Sequence, residues 1–379
     1  MADARRVIGS GAIALCLLVG GCGGGGERSS VRAEVQAALD RRAAVVLGRE
    51  GDTYDVPLAQ WTYHLDSVDA EGDRATADAR LSYRVQGYDS VPVTSSRVLT
   101  LDRDAGGVWS VVSEGPGRGA GEQLWDQGRV SVVRGAHSLV MGVGQSTDRL
   151  RTFADLADKA VPAVSEAWGT EWARKVVVVV PASLTGMAGL LGSSVDSYRG
   201  IAAVTTGETG GRAPADRIVV NPEAYGTLGE VGRQVVLTHE TTHVATRAHT
   251  NEATPLWLSE GYADWVGYRD TDRTPDEAAP ELRNAVAEGR LPTALPTDTD
   301  FGFGTDPTRL AQAYEGGWMA CRLIAARWGE ERLDAFYKAV GAHGKRPGAV
   351  EGALGSVLGT TLEQFTEDWL RYVKEELAG

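Results

Sequence analysis

The sequence predicts an α+β fold built as two successive units. Residues 31–47 carry apolar side chains at helical spacing, and four stretches after them alternate apolar with polar residues. Beyond them, short apolar strands give way to long runs of helical period. A helix followed by a meander implies a small antiparallel sheet covered on one face, over residues 31–116. Residues 129–379 imply a mixed sheet followed by a helical subdomain, with 117–128 as the linker.

The chain opens on an export pattern. Arg5 and Arg6 precede an apolar run over 7–19, about 13 residues, which is too short for a stable bilayer-spanning helix. Val19-Gly20-Gly21-Cys22 resembles the lipobox of bacterial lipoproteins. That resemblance implies a signal peptide over 1–21, removed ahead of Cys22, and a diacylglycerol on the Cys22 thiol. Residues 22–30 would then be a glycine-rich tether. The expectation is a protein anchored to a cell membrane through Cys22, on the extracytoplasmic face.

Cysteine usage agrees. Of three cysteines, Cys16 leaves with the signal and Cys22 is lipidated, so Cys321 has no intrachain partner. Its apolar, helical surroundings suit packing. The net charge of −13 argues against a nucleic-acid partner or an anionic lipid surface.

In the first unit, Val35, Leu39, Ala43 and Val46 form the helix's apolar face. Strands are expected at 61–68, 76–85, 91–101 and 108–112, separated by Asp- and Gly-rich turns. The pattern is similar to nuclear-transport-factor-two-like and cystatin-like domains, which implies a spacer or substrate-presenting role. His64 stands alone and reads as structural.

The second unit begins after the Gly-rich 115–121 stretch. Strands are expected at 130–133, 138–143, 176–180, 202–205 and 217–220, with a long amphipathic helix at 150–168. A helix beginning near Leu228 follows, then helices at 257–267, 277–288, 310–328 and 362–377. Residues 291–307 form a Pro/Gly/Asp-rich loop long enough to shape a cleft.

The chemistry concentrates in Val235-Val236-Leu237-Thr238-His239-Glu240-Thr241-Thr242-His243 and Pro255-Leu256-Trp257-Leu258-Ser259-Glu260-Gly261. His239 and His243, at i and i+4 of a helix, share one face, so their ring nitrogens can converge on a tetrahedral zinc ion. Glu240 projects from the same side but offset, which suits a base acting on activated water. Catalytic zinc sites commonly take three protein ligands. Glu260 supplies the third, because Thr250, Asn251 and Pro255 break the first helix and let a second return. Asp264, one turn after Glu260, can accept the outer N–H of a liganding histidine. The chain has only six histidines, so this grouping is hard to obtain by chance.

HETTH followed by PLWLSEGYADW resembles the gluzincin metallopeptidases, in the peptidase MA-like group related to thermolysin and the aminopeptidase-type enzymes. The resemblance implies His239, His243 and Glu260 as ligands of one zinc per chain, Glu240 as general base and Asp264 as the supporting acid. It also implies that the strand just before the zinc helix, here 217–220, pairs with extended substrate. Tyr314 matches a cleft tyrosine that can donate to an oxyanion, and packing explains it equally well. The G-A-M-E-N exopeptidase signature is missing, so aminopeptidase activity is not implied.

The function expected is a zinc metallopeptidase with peptide or protein substrates. The alternative is a catalytically idle zinc-bound binding module at the cell surface, which has no use for Glu240. A metal-free envelope scaffold leaves both histidines without a purpose.

Overall fold

Helix α1 (Gly24–Gly48) buries Val35, Ala38, Leu39, Ala43 and Val46, the face expected from their spacing. It begins ahead of residue 31, because the polar and glycine residues before Val31 carry no periodic signal. The structure, a computed structural model, describes residues 24–48, 56–206, 215–302 and 306–378, with side chains from Ser29 onward. The signal peptide over 1–21 and Cys22 lie outside the described residues.

Alternation builds an antiparallel sheet of β1 (Leu58–Glu71), β2 (Arg74–Val85), β3 (Val93–Arg103) and β4 (Trp109–Pro116), paired in that order. On β2, Ala75, Ala77, Ala79, Leu81, Tyr83 and Val85 point inward while their neighbours face water, which is the period of two of a half-buried strand. Helix α1 lies across the sheet and is fixed by polar contacts as well as burial. Gln36 donates to the Tyr63 carbonyl at 3.0 Å and accepts from the Leu65 N–H at 2.9 Å.

The second sheet has five strands in the order β5-β6-β7-β9-β8. They are β5 (Val130–Arg134), β6 (Ser138–Val143), β7 (Val176–Val180), β8 (Ala203–Thr205) and β9 (Ile218–Val220). β6, β7 and β9 run parallel, and β5 and β8 close the edges antiparallel. The parallel centre is apolar on both faces, as burial on both sides requires. Val140, Val176, Val178, Ile218 and Val220 pack with helix α2 (Thr147–Trp168). Leu139, Met141, Val143, Val177, Val179 and Val219 face the other way. They share one core with helix α3 (Leu184–Leu191) and the first unit.

Residues 117–128 carry part of that seam. Trp125 packs on Trp61 and Tyr83, each with ring centroids 5.0 Å apart. Across the same seam the Tyr88 hydroxyl donates to the Ser138 carbonyl at 2.9 Å, and Arg217 grips Asp89 through both guanidinium nitrogens at 2.7 and 2.8 Å.

One expectation is overturned here. Residues 217–220 do not form the free edge, because β9 is held between β7 and β8. The edge nearest the helix that carries both histidines is β8, which the chain lays outside β9 before returning inward. Strand order is a long-range property that the local pattern of either strand does not carry.

The remainder is helical. A short helix α4 (Pro222–Thr227) precedes α5 (Glu230–Thr246), which carries both histidines. Then come α6 (Leu256–Tyr268), α7 (Pro275–Ala278) and α8 (Pro280–Ala287). The single helix expected over 277–288 is thus broken, because Pro280 forces Ala279 out of the helical region, to φ −124° and ψ 57°. The expected 291–307 loop includes a single turn of tight helix at Asp298–Phe301.

Helix α9 (Pro307–Trp328) starts earlier than residue 310, with proline at its first position and the Asp306 side chain capping two N–H groups. α10 (Glu330–Ala342), α11 (Ala349–Ala353) and α12 (Leu362–Leu377) close the fold around Phe336, Tyr337, Phe365 and Trp369. Cys321 is buried in this core, where burial pushes its thiol pKa well up. Among the described residues, no helix is long and apolar enough to cross a membrane.

Candidate metal centre

Three helices bring the site together: α5 with His239, Glu240 and His243, α6 with Glu260 and Asp264, and α9 with Tyr314. The turn from α5 to α6 is set by Asn251, whose amide donates to the Gly341 carbonyl at 2.6 Å and whose oxygen accepts from the Ala253 N–H. α6 and α9 cross with their backbones almost touching. A Cβ on Gly261 would lie 2.2 Å from the Gly317 carbonyl oxygen, and one on Gly317 would lie 2.6 Å from that of Trp257. Only glycine allows this approach, which draws the Glu260 and Tyr314 helices together.

Nε2 of His239 and Nε2 of His243 are 3.0 Å apart, and Oε2 of Glu260 lies 3.3 and 3.4 Å from them. Tetrahedral zinc with nitrogen and oxygen ligands at about 2.1 Å places neighbouring ligand atoms about 3.4 Å apart. The residues present therefore fit the ion. Among the described residues this is the one group of three such side chains whose ligand atoms all lie within 4.8 Å of one another.

The ring of His239 is oriented from behind. Its Nδ1 lies 2.8 Å from Oδ1 of Asp264, so the carboxylate takes the N–H there and leaves Nε2 facing the other two donors. Burial opposes a charge on His239, but Asp264, its hydrogen bond and Glu260 outweigh it and push the pKa well above the ordinary imidazole value. Burial likewise works to raise Glu260, yet the two histidines hold its carboxyl far below the usual range. No arginine or lysine pairs with Glu240, Glu260 or Asp264 among the described residues.

Glu240 is buried, and the Thr205 hydroxyl on β8 donates to its Oε2 at 2.6 Å. The Tyr314 ring lies 6.4 Å from the His239 ring and edge-on to Phe301 at 5.1 Å. Burial together with Glu260, Asp264 and Glu240 pushes the Tyr314 phenol well up, so it stays an O–H donor. All five residues expected at the site, and Tyr314, are thus brought to one place. Thr205 and Phe301 were not expected, since a threonine in a strand and a phenylalanine in a loop carry no motif.

No protein-family model matches the chain, and no curated protein matches it in sequence. Its fold is similar to yeast LTA4 hydrolase, at 13% identity and TM-score 0.39, over 85% of this chain and 61% of that one. The chain therefore spans less than two thirds of that hydrolase. It is also similar to an M1 zinc metallopeptidase from Deinococcus radiodurans, a mutant bound to a Tyr-Ser-Ala substrate. There the identity is 11% and the TM-score 0.38, over 85% of this chain and 94% of that one. A two-domain M1 zinc metallopeptidase mutant bound to L-arginine gives 10% and 0.37, over 84% and 94%. Likeness of this order carries no functional information, and the donor set must speak for itself.

Proposed function

We propose that this chain is a gluzincin-type zinc metallopeptidase that hydrolyses peptide bonds outside the cell, held at the membrane by a lipid on Cys22. The observation that carries the activity is the convergence of His239, His243 and Glu260 at tetrahedral-edge separations, beside the buried carboxylate of Glu240, which pairs with no arginine or lysine among the described residues. A bound zinc ion supplies a Lewis acid that polarises a carbonyl and makes water a nucleophile near neutral pH. Glu240 takes the proton from the attacking water and returns it to the leaving amine. The Tyr314 O–H donates to the oxyanion that develops on the scissile carbonyl. Asp264 keeps His239 in the tautomer that presents Nε2. The edge strand β8, beside the site through Thr205, offers main-chain groups to an extended peptide without demanding particular side chains.

Peptide-mixture cleavage by the full chain, with zinc measured in the same samples, tests this reading. Glu240→Gln is nearly isosteric but cannot accept a proton, so cleavage should fall roughly 10²–10⁴-fold with zinc retained. Cleavage as fast as wild type would overturn the mechanism. Anchoring rests on Val19-Gly20-Gly21-Cys22. In a bacterial host Cys22→Ala should move the protein from the membrane to the soluble fraction, and unchanged membrane association would sink that part.

A further inference from the structure

The carboxylate of Glu240 has a single side-chain partner among the described residues. Thr205 Oγ1 lies 2.6 Å from Oε2 of Glu240 and 3.0 Å from the backbone carbonyl oxygen of Glu240. We propose that Thr205 is a positioning residue for the general base: its hydroxyl pins one carboxylate oxygen and turns the other toward the cleft. This rests on the peptidase reading given above.

The geometry and the chemistry both favour the assignment. A glutamate on a helix has three rotatable bonds, and burial alone does not choose among its rotamers. Threonine is β-branched and stiff at χ1, so a strand can hold its hydroxyl in place. Ala203, two residues before it on the same face of β8, packs with Leu237 and Val244 of α5, so this face of the strand looks at the zinc helix. A lysine or arginine at position 205 would also hold the carboxylate. Its charge would weaken the base and oppose a divalent cation nearby, whereas a hydroxyl fixes the group without charge.

The strand itself is fixed at its C-terminal end and across the molecule. Thr206 exchanges two hydrogen bonds with Arg217, at 2.8 Å to its carbonyl and 3.1 Å from its N–H. The Thr206 carbonyl also accepts from Arg247 of the zinc-helix terminus at 3.3 Å. The Arg217 guanidinium is in turn clamped by Asp89, whose side chain is 1% exposed, from the hairpin of the first unit. The first unit therefore supports the short strand that carries Thr205, which gives it a part in setting the base.

The test uses the full chain and three variants. Thr205→Val removes the hydroxyl at constant shape, Thr205→Ser restores it, and Thr205→Ala replaces the valine variant should that fail to fold. Misplacing a catalytic group by an ångström costs about 10²-fold. Thr205→Val should accordingly lose about 10–100-fold in kcat, with KM within about twofold and zinc content unchanged, and Thr205→Ser should recover most of it. Crystal structures of the metal-free variants give a second reading. Glu240 should hold one rotamer in wild type and Thr205→Ser, and spread over several in Thr205→Val. An unchanged Glu240 rotamer, or an unchanged kcat, overturns the proposal while leaving the peptidase reading intact. If wild type cleaves no peptide, that reading falls, and the crystal structures still decide whether Thr205 positions Glu240.

Discussion

Two buried polar clusters, one in each unit, are built from the same kinds of side chain and come out opposite. In the first unit Arg97, 1% exposed, donates to Glu114 at 3.0 Å and to both oxygens of Asp126 at 2.7 and 2.5 Å. Glu114 is completed by Arg42 and the Tyr63 hydroxyl, each at 2.9 Å. Two guanidinium groups meet two carboxylates, and the charges close on themselves. At the candidate metal centre Glu260 faces Nε2 of both imidazoles, and Asp264 holds Nδ1 of His239 from behind. The first cluster closes on its own guanidinium groups, whereas the second gathers three donor atoms with no arginine or lysine beside them among the described residues. Glu315 on α9 stands between these cases. It is buried, pairs with no cation among the described residues, and accepts from the Leu282 and Glu281 N–H groups at 2.5 and 3.2 Å.

The largest test of the contrast removes a donor from the open cluster. His239→Ala should abolish binding of about one zinc per chain, read by metal analysis. Retained zinc would mean that the cation is held elsewhere.

Breaking the closed cluster should do the reverse. Arg97→Met takes from Asp126 its guanidinium partner and leaves Glu114 with Arg42 alone, and losing one partner of a buried pair costs about 3–5 kcal/mol. Chemical denaturation should show that loss with zinc content unchanged, and a stability change under about 1 kcal/mol would show that the network is not structural.

Asp264→Ala sharpens the comparison without breaking it. It keeps the three donors and removes only the acceptor behind His239, so zinc affinity should weaken about 10–100-fold, measured by competition with a chelator. Equal affinity would remove Asp264 from the site.

The smallest effect belongs to Glu315, whose pKa burial pushes up to about 7 against two N–H donors. The folded state holds its proton more tightly than the unfolded chain, where 4.5 is the ordinary value. Its contribution to stability is therefore full below about pH 4.5 and lost as the pH rises through about 7. Glu315→Gln should flatten that part of the stability curve by on the order of 1 kcal/mol. A curve as steep as wild type would assign the pH dependence to another group.

How much of this is legible in the sequence follows from how far its information travels. His239, Glu240 and His243 sit on one helical face, and Glu260 and Asp264 on the next helix, so a reading at helical period finds all five. The strands and the longer amphipathic helices announce themselves in the same local way, whereas α3, α4, α10 and α11 were not expected. Thr205 cannot be found like this, because its meaning depends on β8 lying outside β9, a choice made by the whole sheet. For the same reason 217–220 reads as an edge and folds as an interior strand. The Arg97 cluster joins residues from five separate elements, and nothing near Arg97 in the chain marks it as buried. Gly261 and Gly317 look like weak points in helices until the helices are seen to cross there.

The core shared by the two sheets decides how the molecule answers a protease and how its gene can be shortened. A nick within the glycine-rich 115–121 stretch severs the chain but leaves the Trp61–Tyr83–Trp125 packing and the Asp89–Arg217 clamp in place. The two fragments should therefore elute as one particle from a sizing column and part only in denaturant. A gene trimmed to begin at residue 129 has no such partner. Its product would show Leu139, Met141, Val177 and Val179 to water and should accumulate as inclusion bodies, so the two halves are inherited or lost together.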